Sequence, residues 1–527
     1  MTEAERNQLE TSAQGFAQQL GMEYFDTRPK IDIKPMVGKL TIEGLKAYGI
    51  VPLNLTGATL TLGTSEQTNR NLMEPLKARL GASGYTVVYK FISQVGWQRL
   101  FNRYSIAANS DLLENGKFDP FSQQINNVEP KFMFEPIAQM AYQLGASDIH
   151  IEPGEEEARI RFRVDGTLHS VITLTKERYE LFASDLQIRA NVKWGGDEPQ
   201  GGRLSVQVIN NDGDTVPLNM RLETVPSLHG QDVVIRLFNL SVQYLNLENL
   251  QLTKPQQDLL IRATSHPRGM VLTVGPTGSG KTSTLYSIMN HLNNDEIKVV
   301  TLEDPVEYEL EDISQIPVRS DNQQLFIEKL RAVLREDPDI VMIGEIRDAD
   351  TAKTALQASL TGHLVLSTFH ASSSSAAITR LMDMIGQNPL LASSIRLIMA
   401  QRLVRELCPH CHRGYKPNKD ELLQIKTALH GLPKESQPDY DAIKLYKPVG
   451  CDKCHHFGYA GRVSIIEQLD MTPKMQALIS AGTAATTTQA VEQAAIREGM
   501  VTLLQDGVLK AVAGKTTLEE IFVAVGE

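Results

Sequence analysis

Beyond Leu252 the chain carries short apolar runs at Gly269 to Val274, Lys298 to Leu302, Ile340 to Ile343 and Leu364 to Thr368, separated by stretches with helical spacing. Runs of four to six apolar residues without polar alternation read as strands buried on both faces. Their alternation with helices predicts a mostly parallel sheet covered on both sides. The first half reads differently. An amphipathic helix (Phe16, Leu20) precedes strand-like runs at Val51 to Leu55 and Thr59 to Leu62, a helix around Leu72 to Leu80 and a strand at Tyr85 to Phe91. Together these predict a small α/β module over 1–106. The polar stretch Ala107 to Asn127, rich in Asn, Asp, Gly and Pro, reads as a linker, taken as 107–130. A helix over Lys131 to Leu144 then leads into strands at Ile149 to Glu152, Arg159 to Val164 and Leu168 to Leu174, with a turn at Asp165 and Gly166. That predicts a second α/β domain over 131–241, followed by a catalytic domain over 242–527.

Composition narrows the class. With 527 residues, 42% hydrophobic and 22% charged, the chain has the make-up of a multidomain globular protein. Its formal charge of −11 gives no global field for nucleic acid or an anionic membrane. No apolar run approaches the ~18 residues of a spanning helix, and the first ten residues lack an apolar signal core. The expectation is a cytoplasmic protein that reaches a membrane only through partners.

Gly275-Pro276-Thr277-Gly278-Ser279-Gly280-Lys281-Thr282 fits G-x-x-x-x-G-K-[ST], with Ser283 next, directly after an apolar strand and before a helix. Glycines there let the backbone turn its N–H groups toward phosphate oxygens, and the helix N-terminus adds positive potential. Lys281 is expected at the β- and γ-phosphates, and the Thr282 hydroxyl in the Mg²⁺ shell. Hydrolysis also needs acids. The run Ile340 to Gly344 delivers Glu345 to the sheet edge, the expected Mg²⁺-side residue, and Val299 to Leu302 delivers Glu303, read as the water-orienting base. Strand-end acids also cap helices, which is the structural alternative for each.

These boxes resemble those of the secretion ATPase superfamily, in particular the type IV pilus assembly and type II secretion ATPases. The P-loop is followed in the family's order by Thr301-Leu-Glu-Asp-Pro-Val-Glu307, by Glu336 to Asp348 around Glu345, and by Thr361-Gly-His363 through His370. Upstream, Ala146-Ser-Asp-Ile-His-Ile-Glu-Pro153 and Arg161-Phe-Arg-Val-Asp-Gly166 are similar to the family's second N-terminal domain. Leu20 to Asp26 and Tyr48 to Leu53 are similar to its platform-docking domain. The resemblance implies a RecA-like P-loop ATPase domain, a PAS-like second N-terminal domain and a zinc-knuckle subdomain. It implies that Arg203 and Arg221, with Arg236 as a further candidate, are supplied to the phosphates by the second domain, and that His370 senses them. It implies ATP and Mg²⁺ as ligands, a homo-hexamer, and an inner-membrane platform protein and a cytoplasmic ring adaptor as partners. A nucleic-acid translocase is a less favoured reading, and no nucleic acid is expected, because the chain is acidic and lacks a basic stripe with interleaved aromatics. Two departures stand out: Gly201 occupies a position that is usually acidic, and Ala371-Ser-Ser-Ser-Ser375 replaces a run containing Asn or Asp.

All four cysteines fall in two C-x-x-C pairs, Cys408/Cys411 and Cys451/Cys454. Four thiolates at that spacing suit a closed tetrahedral Zn²⁺ site within an insertion at about 405–460. A redox dithiol pair or an iron–sulfur cluster is the alternative. The loop between the pairs shows little core of its own. In the resembling family such cysteines accompany assembly and secretion ATPases and not pilus retraction ATPases. Two functional readings follow: a pilus assembly motor and a type II secretion ATPase. A non-hydrolysing nucleotide-gated scaffold is a third reading, and it would dispense with acids such as Glu303 and Glu345.

Overall fold

The protein is described here by a computed structural model covering residues 3–29, 31–37, 40–109, 118–193, 198–238, 245–318, 323–482 and 486–526. It divides into two compact units, Met1–Asn239 and Leu240–Glu527. The boundary expected near 241 lies outside the described residues.

The first unit opens with helix α1 (Glu3–Gln19), α2 (Ile42–Tyr48) and strands β1 (Ile50–Thr56) and β2 (Thr59–Thr64), followed by α3 (Met73–Ala82), β3 (Thr86–Phe91) and α4 (Gln94–Asn109). β1 and β2 pair antiparallel, β2 and β3 parallel, and Val51, Leu53, Leu60, Leu62, Trp97 and Leu100 form their shared core. The stretch read as a linker instead holds helix α5 (Asp119–Asn126) among its described residues; 110–117 lie outside them. Phe121 and Ile125, one helical turn apart, are buried, and this i,i+4 pair holds the helix against the next domain despite the polar residues around it.

Helix α6 (Phe134–Gln143) leads into β4 (Ala146–Pro153), β5 (Glu157–Val164) and β6 (Thr167–Thr175), helix α7 (Lys176–Ala190), then β7 (Gln200–Ile209), β8 (Thr215–Ser227) and β9 (Gly230–Leu237). The six strands form one antiparallel sheet in the order β6-β5-β4-β9-β8-β7. Alternation decides its faces: Ile149, Ile151, Ile160, Phe162, Leu222 and Ile235 are buried, while the intervening residues are mostly polar. The two α/β modules share one unit because the β7–β8 turn docks on α4. Asn102 Nδ2 donates to the Gly213 carbonyl at 2.8 Å, and Arg99 pairs with Asp214 at 2.7 Å.

The second unit begins with α8 (Lys254–Thr264), started by Thr253 and Gln256 in a capping box. Then follow β10 (Gly269–Val274), α9 (Lys281–Leu292), β11 (Val299–Glu303), β12 (Ser314–Pro317), α10 (Gln323–Val333), β13 (Ile340–Ile343), α11 (Ala349–Leu360), β14 (Leu364–Phe369), α12 (Ser374–Ile385), α13 (Leu390–Ser394) and β15 (Ile395–Leu407). After β16 (Arg413–Tyr415), α14 (Lys419–Ala428), β17 (Leu445–Lys447) and β18 (Tyr459–Asp470), the chain ends in α15 (Pro473–Ser480), α16 (Thr488–Arg497), α17 (Leu503–Val512) and α18 (Leu518–Val525). The main sheet runs β12-β11-β13-β14-β10-β15-β18, parallel except for β18. The parallel α/β architecture is as the apolar runs predict. Val271, Leu366 and Met342 pack toward α8 and α9, whereas Met270, Leu272, Val274, Val365 and Ile343 face α10 to α13 and the C-terminal helices. Burial on both faces is why these strands are apolar without alternation.

The segment between the cysteine pairs has more core than expected. Ile425, Leu429, Leu432, Ile443 and Leu445 are buried and continuous with the main core of the second unit.

Candidate active site

The parallel strands end on one edge of the sheet, where β10 lies between β14 and β15. That edge is where open α/β sheets bind ligands. β10 is buried throughout, and the loop Gly275–Gly280 turns directly into α9. Gly275 has φ 156°, and a Cβ there would stand 2.6 Å from both the Gln401 carbonyl oxygen and Ser279 Oγ, so only glycine lets β15 pass this close. Gly280, the residue before α9, has φ 85°. Thr284 Oγ1 donates to Gln401 Oε1 at 2.8 Å and fixes the start of α9 to β15. Thr282 and Ser283 sit half-buried in the first turn of α9.

Lys281 Nζ donates to the carbonyls of Gly275 and Pro276, each at 2.9 Å. Burial pulls its pKa below the ordinary lysine value; Glu345 opposes that shift and Arg402 adds to it. Ser279 Oγ is buried with no hydrogen-bond partner among the described residues. A desolvated ammonium resting on neutral carbonyls and an orphaned hydroxyl in a helix-capping loop fit a polyphosphate chain, which supplies acceptors to both.

Glu345 lies two residues beyond β13, with its side chain 19% exposed. One carboxylate oxygen accepts from Arg347 Nε at 2.6 Å, and the other pairs with His370 Nε2 at 2.7 Å. Register explains the meeting. Ile343 pairs with Ser367, so the residues leaving β13 and β14 emerge side by side, and Thr368 Oγ1 donates to the Gly344 carbonyl at 2.8 Å. His363 stands at the opposite end of β14, its Nδ1 3.0 Å from the Ala358 carbonyl oxygen, away from this edge.

Glu303 is placed otherwise than expected for a water-handling base. It ends β11 but is 3% exposed. Its carboxylate accepts from the Tyr286 hydroxyl, from Thr301 Oγ1 at 2.5 Å and from Gln315 Nε2 at 3.1 Å. It ties α9 to β11 and β12. The acids whose charges act on Lys281 are Glu345 and Glu307. Tyr286, Gln315 and Gln401 carry no motif of their own; only tertiary pairing reveals their part.

In the first unit, register brings five charged residues into one row across the six-stranded sheet. Arg163 pairs with Asp148, Asp148 with Arg236, Arg236 with Arg221, and Arg221 with Arg203. Like charges directly opposite one another are destabilising. Asp148 partly compensates: it accepts from Arg236 Nε at 3.1 Å, and Arg163 Nε stands 3.8 Å away. Arg221 Nε pairs with Glu223 at 2.5 Å. Arg203 pairs with no carboxylate among the described residues. Gly201 has an acidic neighbour on the adjacent strand. Glu223 faces it across the strands, and a Cβ at Gly201 would come within 3.0 Å of Glu223 Oε2, so a carboxylate already stands beside this position. Arg163 and Asp148 join this row through register alone, which no local spacing reveals.

The four cysteine sulfurs lie within 4.8 Å of one another. Cys408–Cys451 is 3.9 Å, Cys411–Cys454 3.7 Å and Cys451–Cys454 3.8 Å. These distances exclude disulfides, whose bond is ~2.05 Å. They match the ~3.8 Å edge of a tetrahedron with Zn–S bonds of ~2.3 Å. The backbone N–H groups of Cys451 and Gly458 point at Cys454 Sγ, each at 3.3 Å, as they would toward a thiolate. The donor set therefore fits a metal.

Residues 124–523 match the family described as type II/IV secretion system protein. A putative type II secretion system protein E of Escherichia coli is 39% identical over 415 residues, covering 79% of this chain and 78% of that one. The type IV pilus assembly ATPase PilB of Pseudomonas aeruginosa is 35% identical over 525 residues, covering 96% of this chain and 89% of that one. Among solved structures, the ATPase DotB of Legionella pneumophila has a similar fold, with a TM-score of 0.55 at 22% identity over 76% of this chain and 96% of that one. No helix among the described residues is long and apolar enough to cross a membrane. With the P-loop, the acid at the strand edge and these similarities together, the chain belongs to the type II/IV secretion system protein family, as an ATPase of that family.

Proposed function

We propose that this chain is the ATP-hydrolysing motor of type IV pilus assembly, working as a homo-hexamer on a platform protein at the cytoplasmic face of the inner membrane, with a cytoplasmic ring adaptor as a further partner. The observation carrying the reading is the meeting of the P-loop, Glu345 and His370 at one sheet edge, in a chain whose similarity to a pilus assembly ATPase runs over 96% of its length. The similarity to a secretion protein E spans a smaller share, 79%, at higher identity, which keeps type II secretion as the second reading.

Lys281 exchanges its carbonyl acceptors for phosphate oxygens, and Thr282 and Glu345 face the metal side of the phosphates. Thr282 and Glu345 would hold Mg²⁺, which would supply positive charge against the charge that develops on the phosphates. His370 acts as phosphate sensor by dividing its Nε2 proton between Glu345 and the γ-phosphate. Glu303 orients water only after its carboxylate leaves Tyr286; held as it is, it braces α9. Arg203 and Arg221, on the exposed row of the first unit, are the arginines delivered to phosphate within the ring, where such a charge contributes roughly 10³ to 10⁵ in rate. Cys408, Cys411, Cys451 and Cys454 hold a structural Zn²⁺ that clips the base of the 405–460 segment.

Expression of this chain in a cell lacking its own pilus assembly ATPase, and separately in one lacking its secretion ATPase, tests the choice. Restored surface pili support the proposal; restored secretion alone assigns the chain to the second reading.

A further inference from the structure

Arg402 lies just past the pairing of β15 with the P-loop strand, which ends at Val274 opposite Ala400. Its guanidinium is half-buried and, among the described residues, donates to backbone alone: Nη1 to the Gln401 carbonyl at 3.0 Å and Nη2 to the Ser372 carbonyl at 2.6 Å. The Gln401 carbonyl is the same oxygen that crowds Gly275, and the Gly275 carbonyl is the one on which Lys281 rests. One peptide oxygen thus separates Arg402 from the glycine carrying the P-loop lysine.

Two desolvated cations therefore converge on this turn, and each depends on neutral acceptors. Burial pulls Arg402 below the ordinary arginine range, and its charge in turn depresses Lys281. The acid acting on Arg402 is Glu467, but that buried carboxylate is already engaged by the Ser374 N–H at 2.8 Å, the Ser374 hydroxyl and the Leu503 N–H at 3.3 Å. No carboxylate among the described residues pairs with Arg402. Charges taken from water without a counter-charge are costly, and a planar guanidinium fork matches phosphate oxygens.

We propose that Arg402 is a phosphate-binding residue of the nucleotide site, supplied by the same unit as the P-loop, with the Ser372 carbonyl as its resting partner. The inference rests on the ATPase reading. When the fork turns to phosphate, Ser372 loses its donor, and the loop between His370 and α12 is freed from β15. Occupancy of the phosphate subsite is thereby transmitted to the segment that follows His370. The serine run at 371–375 gains a role: Ser373 caps α12, Ser374 anchors on Glu467, and Ser372 presents its carbonyl to Arg402.

The test uses the purified full-length chain with Mg²⁺, titrating ATP, ADP and AMP in competition with a fluorescent ATP analogue, for wild type, Arg402→Gln, Arg402→Lys and Lys281→Ala. Arg402→Gln is expected to weaken ATP and ADP by about ten-fold or more while changing AMP by less than about two-fold, and Arg402→Lys to recover part of the loss. A general disturbance of β15 would weaken all three nucleotides alike, and that result overturns the proposal. So does wild-type ATP affinity in Arg402→Gln while Lys281→Ala has lost it, which leaves the nucleotide site itself standing. If Arg402→Gln fails to fold, Arg402→Lys decides through the ratio of ATP to AMP affinity: an unchanged ratio overturns the proposal. Absence of ATP binding by the wild type refutes the ATPase reading on which it depends.

Discussion

At Lys281 two needs conflict: the proposed grip on phosphate needs a charged ammonium, and burial makes that charge costly to keep. The chain meets both by resting Nζ on two P-loop carbonyls. Lys281→Ala should therefore abolish measurable ATP binding without lowering the melting temperature, since the residue exchanges acceptors rather than holding the fold; a large fall in melting temperature would contradict this. Glu345 has a different exposure to error. Its carboxylate already joins Arg347 and His370, and Glu345→Gln, which keeps the shape and removes the charge, should lower turnover about 100-fold or more with ATP still bound. Glu303 was legible as an acid at a strand end, but its partners were not. Tyr286 and Gln315 reach it from α9 and from β12, which no local spacing announces. Tyr286→Phe should cost about 1–3 kcal/mol, because it leaves a buried carboxylate short of a donor, and thermal unfolding would show this as a fall of several degrees. An unchanged melting temperature would mean that Glu303 is not the brace described.

Among the elements, those with contiguous signals were readable. The P-loop is one uninterrupted strand, turn and helix, and the two C-x-x-C pairs declare their chemistry by spacing alone. Helix α5 was hidden because Asn, Gln, Ser and Pro dominate its neighbourhood, and its case rests on Phe121 and Ile125 alone. The segment between the cysteines hides its core for a related reason. Ile425, Leu429 and Leu432 are too few to suggest a core by themselves, but they complete one with α17 and the main sheet. Zinc bound to isolated finger peptides supplies ~10–16 kcal/mol and decides whether they fold at all. Here the segment is also held by that shared core. Stripping the metal with a chelator, or Cys451→Ser, should remove about one zinc per chain and speed amide exchange around Cys408 and Gly458, while β10, β13 and β14 stay protected. Loss of protection across the whole sheet would show that the metal holds far more than its own loops.

Across the whole molecule, chemistry is divided between two units. The second carries the P-loop, the acids and the histidine; the first carries a row of four arginines with Asp148 among them, and Arg203 is left without a carboxylate partner among the described residues. Such a row is unfavourable in isolation, and the motor reading proposed above would use it opposite phosphate. The sequence showed Arg203 and Arg221 only through resemblance, since a row across five strands exists in register and not in spacing. The direct test is ATPase activity of the zinc-replete protein separated by size into monomer and hexamer, with Arg203→Ala and Glu345→Gln beside the wild type. The account predicts turnover in the hexamer alone, lowered about 10³-fold or more by Arg203→Ala with ATP binding retained. Equal turnover in monomer and hexamer, untouched by Arg203→Ala, would contradict it.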